Sequence, residues 1–147
     1  MTDPEASADR PAVWPFMAAL AIIVLVVIAI GLLNLVGGEK RPPDQQVATA
    51  AVGQNDALQR QHYVDFRNYT CGPQQGDEAK VLGAQRESAA KRGERFVDDV
   101  TEVKIDGDRA TAKVTYHFDK APDTKEDVEM SFIREDGAWK VCSPGPS

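Results

Sequence analysis

The chain begins with an apolar run and continues as a much more polar sequence. From Val13 to Val36 there is no Asp, Glu, Lys or Arg, and the only strongly polar residue is Asn34. At about 1.5 Å per residue, a helix over this run would cross a hydrocarbon core of about 30 Å. Its centre, Ala21–Ile30, is apolar on every side, whereas a helix packed on a soluble domain keeps a polar face. The pattern predicts a membrane-spanning helix over residues 13–36.

A cleaved signal peptide is the alternative interpretation of this run. The apolar region of a signal peptide is usually about 7–15 residues long and is closely followed by a small-residue cleavage site. The run in this chain is longer, and the nearest Ala-x-Ala sequence, at 48–50, lies well beyond it. We therefore expect an uncleaved anchor, with an amino-terminal tail of residues 1–12 before it and a linker of residues 37–44 after it.

Residues 45–143 form the predicted globular domain, and the spacing of apolar residues in its first part is helical. The segment Gln45–Val52 is rich in Ala, and Gly53 after it predicts a break. Asn55 is a good amino-terminal cap for a second helix. One face of that predicted helix carries Leu58, His62, Phe66 and Tyr69.

A third helix is predicted from Asp77 to about Arg92, because acids in its first turn and bases in its last turn match the helix dipole. Beyond it, apolar and polar residues alternate with period two, which predicts strands. Asp119–Asp127, which contains Pro122, is predicted as a loop, and Asp136–Gly137 as a hairpin turn. Helices followed by an antiparallel meander indicate an α+β fold. The core-facing strand positions are Val103, Ile105, Ala110, Ala112, Val114, Tyr116, Phe118, Val128, Met130, Phe132, Trp139 and Val141.

Charge and composition exclude several classes of function. The 147 residues include 17 Lys and Arg against 23 Asp and Glu, which gives a net charge of −6. An acidic chain without a basic block argues against a nucleic-acid partner. Two Cys and two His leave little basis for a zinc cluster, and no acidic segment has the spacing of a calcium-binding loop. We predict no metal and no cofactor.

Four sequence features together resemble a known group of proteins. They are the apolar anchor, the helix around Gly53–Leu58 followed by Cys71, the strand Gly107–Val114 and the ending Asp136–Cys142. The chain is similar over nearly its whole length to small single-pass membrane proteins of mycobacteria and other actinobacteria. These include the mammalian-cell-entry-associated membrane proteins and related domains of unknown function. The resemblance implies a cone-shaped nuclear transport factor 2-like fold, also called cystatin-like, and an accessory role without catalytic residues.

The cone-shaped fold can bring Cys71, at the end of a helix, close to Cys142, on the final strand. We expect a disulfide between them, which would place the domain outside the cytoplasm and the amino terminus inside. The basic residues support the opposite orientation. Lys40 and Arg41 follow the apolar run, whereas only Arg10 precedes it, so the positive-inside rule favours a cytoplasmic domain with two free thiols.

Three functions are compatible with these features. We expect a non-enzymatic accessory protein, anchored in the lipid bilayer by residues 13–36, whose extracytoplasmic domain docks onto a membrane transporter or a cell-envelope assembly. A second possibility is an isomerase-like or hydrolase-like enzyme that uses His62, Asp65 and Tyr116, although the core-facing strand positions supply neither an acid nor a His. The third is a module that binds a small apolar ligand or lipid in the cone, between Ala110, Ala112, Tyr116, Met130 and Trp139.

Overall fold

The computed structural model describes residues 14–36 and 41–146. The chain divides into two units, with the boundary after Lys40. The predicted tail of residues 1–12 and residues 37–40 of the predicted linker lie outside the described residues. Each unit is described by itself.

The first unit contains helix α1, Trp14–Val36, which forms where the apolar run predicts a helix. Side chains are described for residues 17–32, and large apolar ones such as Leu25 and Val27 are more than half exposed. Within the described part of the chain, no helix combines the length and the hydropathy that a membrane span requires.

Helix α2, Pro43–Gln59, begins the second unit and is longer than the sequence pattern predicts. Pro43 lies in the first turn, where a missing N–H group costs no helical hydrogen bond. The predicted break at Gly53 is wrong, because α2 continues through this residue. A Cβ atom at Gly53 would lie 2.6 Å from two ring atoms of Tyr69, so the glycine allows close packing of that ring. The predicted first helix therefore continues into the first turn of the predicted second helix.

This packing predicts opposite effects for two Gly→Ala substitutions. Gly53→Ala should lower the free energy of unfolding by about 1 kcal/mol, because overpacking costs roughly 1–3 kcal/mol and the gain in helix propensity offsets about 1 kcal/mol of it. Gly83→Ala is the matched control in another helix, since its Cβ would meet nothing closer than an Arg86 nitrogen at 3.9 Å. It should raise stability by up to about 1 kcal/mol. Urea denaturation compares the two variants, and equal stabilisation by both would contradict the packing role of Gly53.

The chain leaves α2 at Gln61, which has a positive φ of 57°, and enters the short helix α3, Tyr63–Asn68. His62 is the amino-terminal cap of α3, and its Nδ1 accepts a hydrogen bond from the Asp65 N–H at 3.3 Å. The predicted helical face that includes His62 is therefore interrupted, because His62 lies between two helices. Only the segments on either side of it are helical.

A 3₁₀ turn, Gly72–Gln74, precedes helix α4, Glu78–Arg92. Asp77 caps α4 by accepting a hydrogen bond from the Lys80 N–H at 3.2 Å. The helix predicted from the charges at its two ends is confirmed to within one residue.

Four antiparallel strands follow: β1, Arg95–Asp106; β2, Arg109–Phe118; β3, Ala121–Glu135; and β4, Ala138–Val141. They pair in the order β1-β2-β3-β4, so the predicted meander is confirmed. Helix α2 packs on one face of this sheet, which gives the α+β architecture that the sequence predicts.

The loop predicted over Asp119–Asp127 is wrong, because most of it belongs to β3. Ala121 already pairs with Phe118, and the turn between β2 and β3 is tight. A register irregularity beyond Tyr116 accommodates the segment that contains Pro122, which has no N–H group for the sheet. The turn signals in this segment are therefore overridden by pairing with β2.

Strand β1 is also longer than predicted and less regular. It begins at Arg95, and two register shifts interrupt its pairing with β2. Such bulges break the period-two alternation and increase the local twist. Val103 is consequently half-buried, and Ile105 is 41 % exposed, so the prediction that Ile105 faces the core is wrong.

The core lies between α2 and the inner face of the sheet. Buried side chains of β2, β3 and β4 meet buried side chains of α2 there. The helix contributes small residues, which allow it to approach the sheet closely. The cluster consists of Val47, Ala50, Ala51, Ala110, Ala112, Val114, Tyr116, Met130, Phe132, Trp139 and Val141.

The segment after α3 is joined to the end of the last strand by hydrogen bonds and by a pair of cysteines. The Sγ atoms of Cys71 and Cys142 lie 2.05 Å apart, at disulfide distance, as the sequence predicts. The Cys71 N–H donates to the Val141 carbonyl at 2.9 Å, and the Val141 N–H donates to the Tyr69 carbonyl at 2.8 Å. Cys71 is fully buried and Cys142 is half-buried.

Candidate functional site

A cavity of about 690 Å³ lies on the helical side of the domain, and we call it the helix-side cavity. Its walls come from α2, α3 and α4, from Arg95 at the start of β1, and from the carboxyl-terminal segment Ser143–Pro146. The volume falls within the range of roughly 300–1,000 Å³ that is typical of small-molecule sites.

Part of the wall is apolar. Leu58 of α2, Phe66 of α3, and Val81 and Ala84 of α4 line it. Phe66 is 5 % exposed, and its ring stacks on that of Tyr63 with centroids 5.9 Å apart. This wall suits the hydrocarbon part of a ligand.

Two buried glutamines contribute to the wall, and they differ in how they are bonded. Gln54 donates from Nε2 to the Thr70 hydroxyl at 2.9 Å, and that hydroxyl donates to the Phe66 carbonyl at 2.7 Å. Gln85 is 7 % exposed, and its amide makes no hydrogen bond to any described residue. Its polar atoms are not among the fully buried unsatisfied ones, so the Gln85 amide is reached by solvent at the cavity and offers a donor and an acceptor there.

Arg95 is a buried cation in the cavity wall, with 8 % of its surface exposed. Its Nε donates to Asn55 Oδ1 at 2.7 Å, and its Nη1 donates to the Pro146 carbonyl at 2.9 Å. The guanidinium carbon lies 5.4 Å from the centre of the Tyr116 ring. Burial lowers the pKa of Arg95, but a guanidinium stays protonated in proteins. No carboxylate of the described residues forms an ion pair with Arg95.

The other charges at the cavity are paired within the protein. Lys91 lies 2.5 Å from Glu87, and its hydrogen bond and positive charge lower the pKa of that carboxyl. Arg92 pairs with Glu126 and lies over the Phe118 ring, 3.5 Å from its centroid. Arg95 is therefore the one positively charged residue of the wall that has no oppositely charged partner among the described residues.

The five residues predicted to line a ligand pocket lie elsewhere. None of them lines the helix-side cavity, and the structure packs all five in the core. The Tyr116 hydroxyl donates to Met130 Sδ at 2.9 Å, and burial raises the pKa of Tyr116. Val47, Ala50 and Ala51 of α2 pack against the small residues of β2 in this core, so the helix-side cavity is a different place from the predicted pocket, which stays a prediction. The predicted set is Ala110, Ala112, Tyr116, Met130 and Trp139.

The three residues of the predicted enzyme hypothesis are not assembled into one site. His62 Nδ1 lies 3.0 Å from Asp65 Oδ2 on the surface, with 54 % and 35 % of the two side chains exposed. Tyr116 is buried in the core, and no hydrogen bond or ion pair among the described residues links it to either of them. His117 lies on the face of the sheet opposite the core. Its Nδ1 is 2.7 Å from Asp98 Oδ1.

Sequence reasoning did not identify Gln85 or Arg95 as site residues. One signal was available, because Val81 and Leu82 are the only large apolar residues of α4. A helix with few apolar residues buries little of its surface, so a gap beside it is a natural consequence. In the part of the chain that the structure describes, no group of three metal-binding side chains occurs.

Comparison with protein-family models finds one match. Residues 74–143 match the family described as low molecular weight antigen MTB12, C-terminal domain. The match extends from the end of the 3₁₀ turn through β4 and includes α4. No curated protein matches the chain.

Among solved structures, the chain is similar to an NTF2-like protein of Campylobacter jejuni that is described as a candidate transpeptidase. The two are 17 % identical, the match covers 64 % of this chain and 94 % of that chain, and the TM-score is 0.44. It is also similar to an uncharacterized cystatin fold protein of Novosphingobium aromaticivorans, with 11 % identity, coverages of 63 % and 92 % and a TM-score of 0.41. A third is a variant of a protein of unknown function from Mycobacterium tuberculosis, with 12 % identity, 66 % coverage of each chain and a TM-score of 0.45. None of these descriptions mentions mammalian-cell-entry proteins, and that part of the predicted resemblance stays a prediction.

Proposed function

We propose that this chain is a membrane-anchored binding protein without a catalytic role, whose domain holds a small ligand with an apolar body in the helix-side cavity. The proposal keeps the ligand-binding alternative drawn from the sequence and moves its site from the core to the helical side of the domain. The helix-side cavity carries it, because a cavity of about 690 Å³ with an apolar wall and the buried cation Arg95 has the size and lining of a small-molecule site.

The state of the ionisable groups supports binding rather than catalysis. General acid–base chemistry needs a group with a pKa near the working pH. Lys91 lowers the pKa of Glu87, so this carboxyl is an anion at neutral pH and a poor general acid. The described part of the cavity wall contains no His and no Asp.

The anchor in this proposal is α1. The apolar run over residues 13–36 of the sequence, which contains no charged residue, supports this part of the proposal. Cys71 and Cys142 at disulfide distance support an oxidising compartment for the domain, and therefore an amino terminus in the cytoplasm. Lys40 and Arg41 favour the opposite orientation, but a rule based on so few charges is weaker than a disulfide.

An anchor would confine the domain to the membrane surface, so the ligand would be received from, or delivered to, a membrane partner. We propose a transporter or a cell-envelope assembly as that partner. Crosslinking in intact membranes tests this part of the proposal. Recovery of the chain only as a free monomer would contradict it.

The ligand is tested by filling the cavity. Ala84→Phe places a ring in the cavity wall, whereas Ala79→Phe, on the same helix, adds the same ring at an exposed position that does not line the cavity. Native mass spectrometry of the full chain, released from membranes in mild detergent, should show a bound small molecule on the wild type and on Ala79→Phe. Occupancy in Ala84→Phe should fall by about tenfold or more, because the added ring occupies space beside the apolar wall that the ligand would use. Absence of a bound molecule from the wild type, or equal occupancy in both variants, would refute the proposal.

A further inference from the structure

The charges at the helix-side cavity indicate which charge a ligand would carry. Glu87 balances Lys91, and Glu126 balances Arg92, so Arg95 contributes the one charge that no described carboxylate neutralises. A buried cation with neutral partners is electrostatically unfavourable, and an anion brought next to it gains more than it would in water. Among the described residues, this single unbalanced charge matches an anion with one negative charge.

The hydrogen bonds of Arg95 indicate where that anion would bind. A guanidinium has five N–H donors in one plane. Two hydrogen bonds are formed, one to Asn55 Oδ1 and one to the Pro146 carbonyl. The remaining donors have no acceptor among the described residues. The fork of an arginine fits the two oxygens of a carboxylate.

The carboxyl-terminal segment Ser143–Pro146 provides a neutral oxygen, the Pro146 carbonyl, where a carboxylate oxygen of a ligand would bind. The segment has no helix or strand, and Pro144 and Gly145 are exposed. Its contact with Arg95 is the single bond from Nη1 to the Pro146 carbonyl. A carbonyl bonded to an arginine is a weaker partner than a carboxylate, so a ligand could displace it.

We infer that the ligand is a small amphipathic monocarboxylate, whose carboxylate pairs with Arg95 in place of the Pro146 carbonyl. Its hydrocarbon part lies along Leu58, Phe66 and Val81, and the Gln85 amide supplies a further polar contact. This inference rests on the proposed function and adds the chemical class of the ligand to it.

Three probes with the same hydrocarbon chain test this inference on the full chain in phosphatidylcholine nanodiscs. They are octanoate, octanol and octylammonium, measured by equilibrium dialysis with empty nanodiscs as the blank. The wild type should bind octanoate at least about tenfold more tightly than octanol, because a charge-assisted hydrogen bond is worth more than a neutral one. Octylammonium should bind least, since its charge repels that of Arg95.

Three arginine variants assign the effect to one side chain. Arg95→Gln should reduce octanoate binding to the level of octanol and leave octanol binding unchanged. Arg95→Lys should retain part of the preference for octanoate, because it keeps the positive charge. Arg109→Gln, at an exposed position outside the cavity, is the matched control and should keep the full preference.

The possible failures are distinguishable. Equal binding of the three probes by the wild type would overturn the carboxylate inference and leave the proposed cavity intact. A preference for octanoate that survives Arg95→Gln would overturn it too. If none of the probes binds above the empty nanodiscs, both the inference and the proposed function fail. The comparison of probes on the wild type needs no variant, so an Arg95 variant that does not fold cannot hide the result.

Discussion

Replacing both cysteines by alanine, Cys71→Ala with Cys142→Ala, should lower the free energy of unfolding by roughly 4 kcal/mol. The bond joins residues separated by 71 positions, and closing a loop of that length removes much of the conformational freedom of the unfolded chain. Alanine is preferred to serine because Cys71 is fully buried, and a buried hydroxyl would add a separate cost. Chemical denaturation of the full chain, with and without a reductant, measures the effect.

The reductant provides the internal control. It should destabilise the wild type by a similar amount and should leave the double variant unchanged, because no other cysteine exists in the chain. Rapid alkylation of intact cells tests the compartment at the same time. Two modified cysteines in the wild-type protein would contradict both the bond and the extracytoplasmic orientation proposed from it.

The second large effect is expected for Phe132→Ala, at roughly 3–5 kcal/mol of lost stability. Phe132 is 1 % exposed in the core, where removal of its ring leaves a cavity between the sheet and α2. Phe96→Ala is the matched control on another strand. Phe96 is 38 % exposed and stacks on His117 with ring centroids 4.9 Å apart, so its loss should cost about 1 kcal/mol or less.

The two variants are compared by their denaturation midpoints. The comparison requires that the slope of the unfolding free energy against denaturant concentration is the same in both. Similar losses for both would show that the inner face of the sheet does not carry the stability of the domain. A change in slope would indicate that the unfolded state, rather than the core, is altered.

The different positions of Phe132 and Phe96 also explain how far the sequence could predict the fold. Phe132 lies in a regular alternation, and one buried face of a sheet imposes that period on the chain. Phe96 follows α4, and β1 begins one residue before it, at Arg95, where the alternation is disturbed by register shifts. Local pattern therefore predicts the strands that keep their register and fails where a bulge alters it.

The helix boundary at Gly53 shows a second limit. A glycine in a polar, Ala-rich stretch is locally a break signal. The ring that occupies the space beside Gly53 belongs to Tyr69, which comes after another helix. Only the tertiary contact distinguishes a glycine that ends a helix from one that admits a neighbouring side chain.

The candidate site depends on contacts that are even more distant in sequence. Arg95 is bonded to Asn55, 40 positions away, and to Pro146, 51 positions away. Neither spacing forms a motif, because the residues converge only when α2, β1 and the carboxyl-terminal segment are assembled. The charge of Arg95 is visible in the sequence, but its burial and the absence of a carboxylate partner among the residues that the structure describes are properties of the fold.

The bond between Cys71 and Cys142 also determines what a protease can do to the domain. The covalent loop it closes contains α4 and all four strands, including the exposed turn Asp136–Gly137 between β3 and β4. Exposed turns of this kind are preferred sites of proteolytic nicking. A single cut there would leave both fragments joined through sulfur and still paired in the sheet. A nicked molecule would therefore remain one covalent unit, attached to α1, until a thiol reduces the bond.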